Sequence, residues 1–117
     1  MKQDRLGQLS MDFSVAIIRL AQELQERREY IISRQIGRSG TSIGANIREA
    51  NYGQSKADFI SKFQIALKEA SETDYWLELL YRTGYIDKER YRSLEQPCKE
   101  LRLMLIASIN TASEKKE

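Results

Sequence analysis

Six basic side chains form the group on this chain whose type and spacing could do chemistry: Arg27, Arg28, Arg34, Arg38, Arg48 and Lys56. Guanidinium groups present planar forks of N–H donors that match phosphate oxygens. Arg34, Arg38, Thr41, Ala45, Arg48 and Tyr52 recur at alternating steps of four and three, so on a helix they share one stripe. They sit two residues on from the apolar stripe of the same segment, which at 100° per residue places them about 200° around it, on the outside. The chemistry expected of such a stripe is contact with the phosphate backbone of RNA or DNA without reading sequence, with Tyr52 available to stack on a base. Arg34 and Arg38 are one turn apart and repel by a few tenths of a kcal/mol. The same stripe also reads as a solvated face, or as the partner of Glu69, Glu72 or Glu78 on a neighbouring subunit.

Catalysis has little to work with. The chain has no histidine, which removes histidine metal sites, Glu-x-x-His di-iron motifs and Ser-His or Cys-His nucleophiles. Cys98 falls on an apolar stripe and reads as a small core residue. Glu69 and Glu72 could share a face with Asp58 or Asp74, but paired carboxylates alone specify no reaction. No enzyme activity, no cofactor, no metal and no small-molecule substrate are expected.

The chain is 117 residues long, 41% hydrophobic and +2 in net charge, which predicts one modest domain and no general affinity for polyanions. Charge is unevenly spread. Residues 31–56 carry four basic residues against one acidic, and residues 57–83 carry three basic against five acidic. A basic helix beside an acidic one can pair within the fold or between subunits, or leave its basic face free. The lone cysteine and the absence of a secretory pattern at the N-terminus point to a reducing, cytoplasmic setting. The most apolar N-terminal run, Phe13 to Leu24, is interrupted by Arg19 and Gln22 and is too short to span a bilayer.

Helical periodicity covers four segments, approximately 11–28, 31–52, 56–83 and 88–112. Their apolar stripes alternate steps of three and four: Phe13, Ile17, Leu20, Leu24; then Ile32, Ile36, Ser39, Ile43, Ile47, Ala50; then Phe59, Phe63, Ala66, Ala70, Thr73, Leu77, Leu80; then Tyr91, Leu94, Cys98, Leu101, Leu105, Ser108, Ala112. This spacing and the short links predict an all-α, up-down-up-down antiparallel four-helix bundle. Ser10 or Asp12 could cap the first helix, Gly53 could end the second in a left-handed conformation, and Ser55 with Asp58 resembles a capping box. Gly84 should stop the third helix and Asp87 should cap the fourth. Pro97 should kink or divide the fourth, and the tail from Ser113 should fray.

Gly37, Gly40 and Gly44 each cost about 1 kcal/mol relative to alanine inside a helix. Close approach to another helix would offset that cost; a backbone surface left open for a ligand is the other reading. Asn46 and Glu49 lie beside the inner stripe and are expected to fix register between helices. Val15, Ile18, Leu67, Trp76, Leu103, Met104 and Ile106 are apolar positions beyond what one buried face per helix needs. This surplus predicts a homo-oligomer, or a surface for another polypeptide.

The run SIGANIREANYGQSKADFISKFQIALKEASET resembles the signature of bacterial four-helix-bundle proteins first noticed in intervening sequences of large-subunit ribosomal RNA genes. Ser42, Ile43, Asn46, Ile47 and Glu49 match its "S-I-x-x-N-I-x-E" helix. Gly53 follows, then Ser55, Asp58 and Phe59 match the "S-x-x-D-F" restart, and Ile65, Ala66, Glu69 and Glu72 the stretch after it. Tyr30 and Arg38 fit the run into this helix. Gly44 departs from the family's frequent proline, Ala50 from its frequent glycine, and Lys68 and Ala70 offset the third-helix match. The resemblance implies a bundle that assembles into a ring, a pentamer. It also implies likeness to the accessory protein of diversity-generating retroelements, where a basic ring surface is implicated in nucleic-acid binding. The expected function is therefore a non-catalytic oligomeric accessory protein that binds RNA or DNA. A protein–protein adaptor or scaffold is the alternative.

Overall fold

The structure, a computed structural model, describes residues 4–114. Four helices occupy them: α1 (Arg5–Glu26), α2 (Tyr30–Ala50), α3 (Lys56–Arg82) and α4 (Lys88–Glu114). Each helix packs on the two beside it and none packs across the diagonal. Ser10 of α1 lies beside Gly44 of α2, and Ala21 beside Gly37, so the first pair runs antiparallel. The pattern continues around the bundle, where Arg38 of α2 reaches Glu69 and Glu72 of α3, and Glu49 reaches Lys62. No described helix is long and apolar enough to cross a membrane.

The apolar stripes make the core. Ile17, Ile36, Ile43, Ala66, Leu77, Leu80, Leu101 and Leu105 are fully enclosed, and burying each large aliphatic side chain favours folding by about 1.5–3 kcal/mol. α1 and α4 meet over a smaller contact than the other neighbours. Their seam is bridged by polar groups: Arg5 pairs with Glu100, Arg90 grips both carboxylate oxygens of Glu23 at 3.0 and 3.2 Å, and Arg27 donates to the Tyr85 carbonyl at 2.7 Å.

Several helix ends differ from the sequence expectation. α1 starts at Arg5, not near residue 11, and neither Ser10 nor Asp12 caps it. The Asp4 carboxylate accepts the Gly7 N–H at 3.0 Å, while Ser10 is buried inside the helix with its hydroxyl donating to the Gly7 carbonyl. Leu6 and Leu9 pack against the core and extend the apolar stripe into this first stretch. α2 ends without a left-handed glycine. Gly53 sits in a tight space instead, since a Cβ there would lie 3.2 Å from both the Ala50 carbonyl oxygen and the Asp58 Cβ.

Ser55 accepts the Asp58 N–H at 3.1 Å, but the Asp58 carboxylate reaches back to Gln54 N rather than to Ser55 N. Asp87 caps α4 as expected, accepting Arg90 N–H at 2.8 Å. α4 runs unbroken through Pro97 and includes Ser113 and Glu114; the remainder of the expected frayed tail lies outside the described residues.

Two turns share one design. After α3, Gly84 adopts φ +84°, with Tyr85 N–H returning to the Leu80 carbonyl. After α1, Glu29 N–H returns to the Leu24 carbonyl in the same way, but the left-handed residue is Arg28, at φ 65°. A side chain in that region costs about 1–2 kcal/mol that glycine would not.

Polar register is set by a pair that sequence reading did not single out. Ser39 and Thr73, both buried, lie 2.8 Å apart oxygen to oxygen. Thr73 spends its proton on the Glu69 carbonyl, so Ser39 is the donor between them. Asn46 and Glu49 were expected in that role. Asn46 instead donates to the Ser42 carbonyl of its own helix, while Glu49 does join α2 to α3 through Lys62, from an exposed position.

Candidate nucleic-acid interface

The outward stripe of α2 exists, but its arginines are not equivalent. Arg38 leans toward α3 and is held there: it donates to Glu69 at 3.1 Å and, more closely, to Glu72. Trp76 Nε1 donates to the same Glu72 carboxylate at 3.0 Å. Donating to the Glu72 carboxylate raises the Arg38 pKa, and the Arg38 guanidinium in turn holds the Glu72 carboxyl below its ordinary value. Arg38 is therefore bound to carboxylates of its own chain rather than free for phosphate. The acidic character of α3, seen in the sequence as a charge imbalance, is partly spent in this contact.

Arg34 and Arg48 are exposed and have no ion-pair partner among the described residues. Fourteen residues of helix separate them, about 21 Å along the axis. Arg27 and Arg28 sit at the opposite end of the bundle from Arg48. Arg27 is engaged, its guanidinium 4.7 Å from the centre of the Tyr85 ring in addition to the carbonyl contact. Arg28 is exposed at the left-handed turn. Lys56 is half-buried at the start of α3, against Phe59 and the end of α4. The six candidates thus fall into two groups at the two ends, with Arg38 between them withdrawn.

The glycines of α2 also differ from one another. A Cβ on Gly40 would strike Ile17 at 2.7 Å, and one on Gly44 would meet Ser10 Oγ at 3.2 Å, whereas Gly37 has ordinary room, 3.8 Å from Ala21 Cβ. Close helix approach explains Gly40 and Gly44, and does not explain Gly37.

Where α1 and α2 draw together at Gly44, a groove of about 810 Å³ opens to solvent. Gly7, Gln8, Met11 and Ser14 line it from α1, and Ala45, Arg48, Asn51 and Tyr52 from α2 and its end. Gln8 was missed because α1 was expected to start after it. Asn51 was missed because it lies off both stripes.

The apolar surplus divides as well. Val15, Ile18, Leu103 and Ile106 are exposed, by 44, 42, 58 and 42%. Leu67 and Trp76 are half-buried against the chain's own core, and Met104 receives the Arg5 guanidinium at its sulfur. On α1, Met11, Val15, Ile18 and Gln22 form an exposed stripe without a charge. Cys98 is buried, and burial pushes its thiol up to about 12, so it is an inert core group.

The chain resembles a crystal structure of a protein of unknown function from the S23 ribosomal protein family of Bacteroides thetaiotaomicron. The two are 53% identical over 89% of this chain and 97% of the other, with a TM-score of 0.87. No curated protein matches the chain. The model of one family matches residues 2–107, nearly the whole bundle, and the chain belongs to that family, the 23S rRNA-intervening sequence proteins.

Proposed function

We propose that the protein is a non-catalytic, homo-oligomeric four-helix bundle that binds nucleic acid without sequence preference through the outward edge of α2. The carrying observation is that Arg34 and Arg48 remain exposed and unpaired while the neighbouring acidic helix has taken Arg38. Two free guanidinium groups per subunit are a weak site alone. Repeated around a ring, which for this fold we take to be a pentamer, they act together and avidity multiplies their effect. Arg28 extends the basic surface at the far end.

Gel retardation with poly-U RNA and with duplex DNA tests this. Binding weakens steeply between about 50 and 200 mM salt, because each phosphate contact releases counterions. Arg34→Glu combined with Arg48→Glu removes it. Arg38→Glu is the wrong probe, since Arg38 is already paired with Glu69 and Glu72 and the change sets three carboxylates together. If neither polymer is retarded at low salt, the proposal fails.

The uncharged stripe of Met11, Val15 and Ile18 favours a second reading, an adaptor that binds another polypeptide. Such binding would survive both high salt and the arginine substitutions.

A further inference from the structure

We propose that the groove between α1 and α2 receives one unstacked base of a single-stranded nucleic acid, so that the protein prefers single strands to duplex. The inference rests on the nucleic-acid reading above and adds to it the class of substrate.

The groove has the size of a small-molecule site, about 810 Å³ against a usual range of about 300–1,000 Å³. Its walls carry short side chains: Ala45 has only a methyl group, Ser10 of α1 sits over Gly44, and the Asp4 carboxylate lies beside Gly7. A flat ring can enter beside Ala45. Tyr52 stands at the rim, 82% exposed, and its ring has no aromatic or cationic partner in the described structure. A free aromatic face beside a cleft suits stacking, which every base accepts.

The polar groups narrow the choice further. Gln8 and Asn51 are lining residues of the groove, both exposed, and their side-chain amides make no hydrogen bond within the described chain. An amide offers a donor and an acceptor side by side, as the edge of an unpaired base requires. Arg48 lies one helical turn before Tyr52 and is unpaired, placed for a phosphate flanking a stacked base.

Charge excludes a free polyphosphate. Asp4 and Glu49 border the same groove; Asp4 is occupied capping α1 and Glu49 is paired with Lys62. With these carboxylates beside Arg48 there is no strong positive field. A neutral base carrying a single adjacent phosphate fits this balance, and a nucleoside triphosphate does not. A paired base inside a duplex cannot enter.

The test is fluorescence anisotropy on the intact oligomer at low salt. It uses labelled oligouridylate of about twelve nucleotides, an abasic strand with the same phosphates, and a duplex of the same length. The expected result is that the abasic strand and the duplex bind at least about tenfold more weakly than oligouridylate. Ala45→Leu fills the groove from an exposed position, and Tyr52→Leu removes the ring. Each should erase the difference between oligouridylate and the abasic strand while leaving the salt-sensitive phosphate contribution. Circular dichroism melting confirms that both variants fold.

If the abasic strand or the duplex binds as tightly as oligouridylate, the base site is wrong and phosphate binding by α2 stands. The base site is equally wrong if the discrimination survives Ala45→Leu. If no polynucleotide binds at all, both readings fall.

Discussion

Gly40 of α2 faces Ile17 of α1 so closely that a single added carbon would lie 2.7 Å from Cγ2 and 3.0 Å from Cγ1 of that side chain. Ile17 is enclosed and β-branched, so it has no free end to swing away. Gly40→Ala should therefore destabilise the bundle by about 1–3 kcal/mol, overpacking outweighing the gain in helix propensity. Gly37→Ala should do the reverse. Its Cβ would meet Ala21 at an ordinary 3.8 Å, leaving a propensity gain of up to about 1 kcal/mol. Urea denaturation of the two variants should move the midpoint in opposite directions.

The Arg38–Glu72 contact makes a prediction about acid. Glu72 is held below its ordinary value of 4.5, first by Arg38 and then by Trp76. A carboxyl whose folded pKa is depressed stabilises the protein above its unfolded pKa, and that contribution is lost as pH falls through the folded value. Both partners are partly solvated, so the contribution is about 0.5–1 kcal/mol. Glu72→Gln should cost that much at neutral pH and less at about pH 3. Unfolding curves at the two pH values give the comparison, and equal losses at both would refute it.

Ser39 and Thr73 tie α2 to α3 inside the core. Thr73→Val leaves the Ser39 hydroxyl buried without its acceptor, a loss of about 1–3 kcal/mol. Ser39→Ala combined with Thr73→Val should cost less than the two single changes added together, because no orphaned group remains. A strictly additive double-mutant cycle would show that the pair does not interact.

Ile18 lies on the uncharged exposed stripe of α1. Placing a carboxylate there leaves the chain's own core untouched and puts a charge into any contact that covers the stripe. Ile18→Glu should lower the mass measured by light scattering while the helical signal stays the same. An unchanged mass would remove this stripe from the oligomer interface.

Much of the architecture was legible because the heptad-like spacing of apolar residues is itself a geometric statement. Ile32, Ile36, Ser39, Ile43, Ile47 and Ala50 share a face on any α-helix, and all six are buried. Gly84 and Asp87 act through local backbone rules, and they too were read correctly. The start of α1 was not, because Asp4 and Leu6 are ordinary until a core exists for Leu6 to touch.

What the residues determined alone was periodicity, capping chemistry at the later helices and the placing of arginines on an outer stripe. Which arginines remain free was decided by packing: Arg38 and Arg34 are one turn apart and chemically identical, yet only Arg38 comes within reach of Glu69 and Glu72. The groove beside Arg48 likewise belongs to no single segment. It exists because small residues on two helices, more than thirty positions apart, meet face to face, and distance between helices is a property of the folded chain.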